Sequence, residues 1–142
     1  MGVKRASHEV YDSVYHLLWC PKYGKKIFAG EEVRECAEQL IWEICEEYGF
    51  EIGEMEGAED HVHILISFSP KHSIGEVVRI IKSISARELF RVFPRLKKRL
   101  WSGELWEDGY LARTVGGRLT RQIIDKNIKH HRDIEQGPAQ LF

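Results

Sequence analysis

Asp60-His61-Val62-His63-Ile64-Leu65-Ile66-Ser67-Phe68 is the stretch whose reading decides the fold. Its β-branched and aliphatic residues mark a strand. Strand side chains alternate between faces, so Val62, Ile64, Ile66 and Phe68 point one way and His61, His63, Leu65 and Ser67 the other. An apolar row on one side and two imidazoles on the other predict a sheet with one face covered and one face open. The imidazoles stand on neighbouring positions of the open side.

Working outward, Phe50–Glu56 is a second strand, and Gly57-Ala58-Glu59 is short enough to join the two as an antiparallel pair. Upstream, Val33, Cys36, Ala37, Leu40, Ile41, Ile44, Cys45 and Tyr48 recur at three- and four-residue steps. They predict an amphipathic helix over about 31–48, closed by Gly49 as its left-handed cap. Tyr11–Cys20 is the first strand and ends at Pro21. Downstream, Ser73-Ile74-Gly75-Glu76 is a capping box, with Ser73 as N-cap and Glu76 reaching back. It opens a helix to about Phe93, before Pro94, with Ile74, Val77, Val78, Ile81, Ile84 and Ser85 inward. Tyr110–Val115 is a short strand stopped by Gly116-Gly117, and about 119–134 is a final helix. The order β-α-β-β-α-β-α predicts an α+β fold. It is a ferredoxin-like split βαβ antiparallel sheet with helices on one face and an added C-terminal helix, in one domain over 1–142.

The net charge of −1 conceals an asymmetry. Residues 31–60 hold a run of Glu and Asp against the single basic residue Arg34, whereas 79–99 hold eight Arg and Lys against Glu88 alone. Arg79, Lys82, Arg87, Arg91, Arg95, Lys97, Lys98 and Arg99 form the electrostatic footprint of a nucleic-acid binder. A solvated helix face would carry the same residues. No apolar run reaches the length of a membrane span. The N-terminus has no apolar segment of a secretory signal. The three cysteines, Cys20, Cys36 and Cys45, form no close pair, which argues against a disulfide framework or a cysteine zinc site. These features fit a cytoplasmic protein.

Two imidazoles side by side on a strand can chelate one cation through neutral ring nitrogens. Asp60, directly before them, is placed to orient one of them. An isolated His-x-His pair on an exposed strand also arises by chance.

Further motifs raise its weight. Tyr15-His16-Leu17-Leu18-Trp19-Cys20-Pro21-Lys22-Tyr23 resembles the opening strand of the single-tyrosine HUH transposases of small prokaryotic insertion sequences. Asp60–Phe68 resembles the histidine–hydrophobic–histidine strand that names that group. Ser83-Ile84-Ser85-Ala86-Arg87, then Leu105-Trp106, Tyr110 and Thr114-Val115-Gly116-Gly117, match in order and spacing. The resemblance runs from about residue 10 to 131.

It implies a homodimer that recognises DNA hairpins near element ends and acts on single-stranded DNA, with no small-molecule substrate and no membrane. It implies Mg²⁺ or Mn²⁺ held by His61, His63 and a polar residue of the last helix, polarising the scissile phosphate. A tyrosine of that helix then forms a 5′-phosphotyrosine, so rejoining needs no nucleotide cofactor. Arg79, Lys82, Arg87, Arg91, Lys97, Lys98 and Arg99 would hold phosphates. Trp101, Trp106 and Tyr110 would stack on unpaired bases, unless they belong to the core.

The chain departs from this pattern at the nucleophile. In phase with Ile123, Ile124 and Ile128, Asn127 stands at the tyrosine position, and His131 stands where the family carries glutamine. No tyrosine follows Tyr110. An asparagine amide is no nucleophile for phosphate. His61, His63 and His131 would form a three-nitrogen set, which would favour Zn²⁺ or Mn²⁺ over Mg²⁺. His130 takes the role of His131 if the register shifts by one. Three readings stay open: an active transposase with a substitute nucleophile such as Tyr110, a hydrolytic metal-dependent nickase, and a hairpin-binding remnant that does not cut.

Overall fold

A computed structural model describes residues 4–6, 9–11, 13–22, 26, 30–58, 60–100, 103–115 and 126. A four-stranded antiparallel sheet forms its centre. Strands β3 (Val14–Trp19), β4 (Glu51–Gly57), β5 (Val62–Ser67) and β6 (Leu111–Val115) lie in the order β4-β5-β3-β6. The helices α1 (Glu31–Tyr48) and α2 (Ile74–Val92) connect β3 to β4 and β5 to β6. This is the predicted split βαβ arrangement. A two-stranded ladder of β1 (Lys4–Ala6) and β2 (Glu9–Tyr11) precedes it, and a short α3 (Arg95–Arg99) follows α2. Neither was foreseen: Tyr11 belongs to the separate ladder, and the central strand starts at Val14. The predicted helix over about 119–134 lies outside the described residues, apart from Lys126 in helical conformation.

The core follows the predicted periodicities. Val33, Cys36, Ala37, Leu40, Ile41, Ile44 and Cys45 of α1 are buried, as are Val77, Val78, Ile81, Ser85 and Leu89 of α2. They meet Leu17 and Trp19 from β3, Ile52 from β4, and Val62, Ile64 and Ile66 from β5. Burial pushes the Cys45 thiol well above its ordinary value. Cys45 is thus an inert core residue. Tyr48 departs from the expected stripe. It is exposed at the helix end and stacks on Phe50, with ring centroids 5.9 Å apart.

The helix ends show why the elements stop where they do. Gly49 adopts φ 77°, and the Phe50 N–H reaches the Cys45 carbonyl at 2.8 Å, closing α1 in a left-handed cap. At the start of α2 the Glu76 N–H donates to Ser73 Oγ at 3.0 Å. The carboxylate of Glu76 does not complete the box. It accepts from His72 Nδ1 at 2.7 Å. An imidazole one position before the cap competes for that acceptor and wins it.

Residues 103–110 form a strap that binds the end of β3 to α2. The Lys22 N–H donates to the Leu105 carbonyl, and the Glu107 N–H to the Cys20 carbonyl. Trp106 is buried, stands edge-on to Trp19, and donates from Nε1 to Ser85 Oγ at 3.0 Å. It belongs to the core and is not available for stacking on bases. Ser85→Ala would leave the buried indole N–H without its acceptor, at a cost of about 1–3 kcal/mol. Urea unfolding of the variant should show a lower midpoint with an unchanged slope. A loss below about 0.5 kcal/mol would show that the indole has another acceptor.

Candidate functional site

The open face of the sheet is assembled by strand register. Residues directly opposite one another share a face. The pairs Leu18↔His63 and His16↔Leu65 join β3 to β5, and Glu56↔His63 and Glu54↔Leu65 join β4 to β5. The pair His16↔Arg113 joins β3 to β6. The residues His16, Leu18, Glu54, Glu56, His63, Leu65 and Arg113 therefore look out from one surface. A shift of register between Ile52 and Glu54 turns Glu54 and Glu56 to that surface.

His61 and His63 stand side by side on this face, as their spacing predicts. Their rings are 5.9 Å apart between centroids and 25° from parallel. Asp60 Oδ1 lies 3.0 Å from His61 Nδ1. A carboxylate only accepts, so it holds the proton on Nδ1 and leaves the Nε2 lone pair as the outward donor. His63 is engaged on both sides. Its Nε2 lies 3.2 Å from Glu56 Oε2, and its Nδ1 lies 3.4 Å from His16 Nε2.

His16 and Glu56 are site residues that the sequence reasoning passed over. His16 was legible, because the inward parity of Leu17 and Trp19 sends it outward. Glu56 was not: alternation from Ile52 sends it inward and a turn over 57–59 sets it opposite Asp60, whereas the register shift between Ile52 and Glu54 brings it opposite His63. Burial lowers the pKa of His16, helped by repulsion from His63 and Arg113 and opposed by Glu54. Among the described residues, no three His, Cys, Asp or Glu side chains are grouped to hold a cation. Toward a cation, His61 and His63 would offer two nitrogen donors, and a third would have to come from elsewhere. Asn127, His130 and His131 lie outside the described residues.

The basic residues do not form one uniform surface. Arg79, Arg87, Arg91, Lys97, Lys98 and Arg99 are exposed along α2 and α3. Arg87 and Arg91 share Glu88, and the Lys97 ammonium sits 5.6 Å from the Phe90 ring centroid. Lys82 differs. Its Nζ donates to the carbonyls of Glu107 at 2.8 Å and Gly109 at 2.6 Å, so it pins the strap. Burial lowers its pKa, against the pull of Asp108 and Glu107. Between α2 and the strap runs an open groove of about 660 Å³ that includes Arg79, Arg87, Phe90, Lys97 and Tyr110. Tyr110 is exposed, whereas Trp101 lies outside the described residues.

A family model described as "Transposase IS200 like" matches residues 9–131. The chain belongs to the IS200-like transposase family. It is 38% identical over 135 residues to the ISDra2 transposase TnpA of Deinococcus radiodurans, covering 95% of each chain. It is 30% identical over 138 residues to the transposase for insertion sequence element IS200 of Salmonella typhimurium, covering 97% of this chain and 89% of the relative. A crystal structure of a protein from Deinococcus radiodurans R1, assigned as a transposase, superposes with a TM-score of 0.72. It is 34% identical and covers 89% of this chain and 96% of its own. The REP-associated tyrosine transposase bound to a REP hairpin superposes with a TM-score of 0.52 at 11% identity, covering 96% of this chain and 88% of its own. That last likeness shows the fold. The predicted family and the predicted α+β architecture are thus both borne out. No helix among the described residues is long and apolar enough to cross a membrane.

The lowered pKa of His16 has a consequence for stability. The unfolded chain binds this proton more readily than the folded one, starting near 6.5. Stability therefore rises with pH across the window from the folded value up to 6.5. The penalty is absent above that window and complete below it. Unfolding of the metal-free protein at a series of pH values should show this slope, and His16→Asn should flatten it. An equal slope in the variant would show that His16 is not its source.

Proposed function

We propose that the chain is a DNA-binding transposase-family protein that grips single-stranded hairpin DNA and holds a divalent cation on His61 and His63, but lacks the protein nucleophile. The observation that carries this reading is the pair of adjacent imidazoles on the open sheet face, 5.9 Å apart, with the Nδ1 of His61 held by Asp60. Neutral nitrogens with fixed tautomers are what a divalent cation requires of histidine. His131 would supply the third donor, and Mg²⁺, Mn²⁺ or Zn²⁺ would occupy the set. When bound, the cation would act as a Lewis acid toward a phosphate oxygen.

What the chain's own residues contribute divides in two. The exposed Arg79, Arg87, Arg91, Lys97, Lys98 and Arg99 neutralise phosphates and fix the position of the strand. Asn127, at the position where the family carries tyrosine, cannot form a phosphotyrosine. Assembly as a homodimer belongs to this proposal as well. The homodimer rests on family membership alone, and the hairpin partner on that membership together with the hairpin-bound relative of the same fold.

The first experiment is a covalent-adduct assay with Mn²⁺ and single-stranded oligonucleotides carrying hairpins from the ends of the chain's own locus. Binding without adduct is the expected result, and Asn127→Tyr should restore an adduct visible by denaturing gel and intact mass. An adduct on the unaltered chain would show a substitute nucleophile, which peptide mapping would name, and would overturn the loss of chemistry. Cut DNA without adduct would instead make the protein a hydrolytic nickase.

Salt dependence tests the phosphate contacts. Each contact removed should reduce the slope of log affinity against log salt by about 0.7–0.9. Arg79→Ala should show this reduction. Lys82→Met should lower stability through the released strap and leave the slope nearly unchanged, because its ammonium already has two carbonyl partners. A full slope reduction in Lys82→Met would make it a phosphate contact after all.

A further inference from the structure

His63 is flanked by two groups that the proposed cation site does not itself require. Glu56 Oε2 lies 3.2 Å from its Nε2, and His16 Nε2 lies 3.4 Å from its Nδ1. The two histidine rings meet edge to face, with centroids 5.4 Å apart at 72°. The chemistry of the three groups fixes the direction of both bonds. A carboxylate only accepts, so the proton of neutral His63 sits on Nε2 and its Nδ1 is a lone pair. His16 then donates from Nε2, and its own Nδ1 is unprotonated.

This arrangement conflicts with cation binding through His63 Nε2, the nitrogen that faces Glu56. That nitrogen has to lose its proton, and the remaining proton of the neutral ring has to sit on Nδ1. A neighbour fixed as a donor, such as lysine, would oppose that change. A neighbour fixed as an acceptor, such as a carboxylate, would oppose the starting state. An imidazole can serve in both. Glu56 is free to withdraw, since its side chain is 75% exposed, whereas His63 is 28% exposed and His16 half-buried between strands.

We propose that His16 is a positioning residue for His63, donating to its Nδ1 while Glu56 holds Nε2–H and accepting from Nδ1–H when a cation takes Nε2. The role rests on the proposed cation reading. The protons balance: His16 Nε2–H passes to His63 Nδ1, His63 Nε2 releases one proton to solvent, and His16 Nδ1 takes one up. Neither ring changes charge. The ring orientation of His63 is held throughout by the same contact, and the outer partner of a metal-binding histidine is generally what fixes its tautomer.

The test is imidazole ¹⁵N NMR of the full chain during titration with Zn²⁺, a diamagnetic probe. Metal-free, His16 should read as the Nε2–H form; on titration it should convert to the Nδ1–H form together with the response of His61 and His63. A response at His61 and His63 with an unmoved His16 ring would overturn the positioning role and leave the cation reading intact. No response at any of them would remove both. In parallel, Mn²⁺ affinity should fall about 10–100-fold in His16→Ala. It should be largely rescued in His16→Gln, whose amide can both donate and accept. Equal affinities in the three proteins would also overturn the role. If His16→Ala fails to fold, His16→Gln and the NMR titration of the unaltered chain still decide it.

Discussion

The pairing of β3 with β5 is the constraint on which the rest depends. Leu17 faces Ile64, and Leu18 faces His63. The side-chain period of a strand is two, so one register settles two things together. It sends Leu17, Trp19, Val62, Ile64 and Ile66 into the core and His16 and His63 to the open face. A slip of one residue would bury imidazoles and expose isoleucines. The core therefore holds the histidines in place, although they contribute little to it. That separation lets a site change its chemistry without unfolding the sheet, because the atoms that bear stability and the atoms that bear function lie on opposite sides of the same strands.

Much of this architecture was legible in the sequence. The 31–48 helix, its glycine cap, the 74–92 helix and the outward pair His61 and His63 all follow from periods of 3.6 and 2 and from local capping chemistry. What escaped depended on contacts between distant segments. Trp106 became core because Ser85, on another element, offers its indole an acceptor. Lys82 sits in the outer row of α2 by phase, but two carbonyls of a strap more than twenty residues away make it a tie. Nothing in a window of local sequence shows those partners. His16 is a different case: its parity was readable, but its significance appears only once β3 is known to lie against β5.

The charge asymmetry also resolves into structure. The acidic residues of α1 and the basic residues of α2 and α3 belong to neighbouring elements, since α1 packs against α2. Arg87 and Arg91 turn to Glu88 on their own helix. Exposed pairs of this kind contribute little to stability. They leave the guanidinium groups accessible, with their charge only partly offset. A surface built this way attracts a polyanion without being committed to a rigid internal network.

The two histidines of the HUH strand are not equivalent, and the difference lies in their carboxylates. Asp60 grips the inner nitrogen of His61 and so leaves Nε2 ready as a donor. Glu56 grips Nε2 of His63 itself, the nitrogen that would have to be freed. One imidazole is preset and the other is latched. A latch on an exposed glutamate costs little to open, because water can replace the lost hydrogen bond. On the proposed cation reading the pair would be a half-prepared site, in which the first donor would define the position and the second would join after a proton moves. That asymmetry comes from placing one carboxylate a single residue before the pair and the other across the hairpin, where β4 is turned outward by its register shift at Gly53.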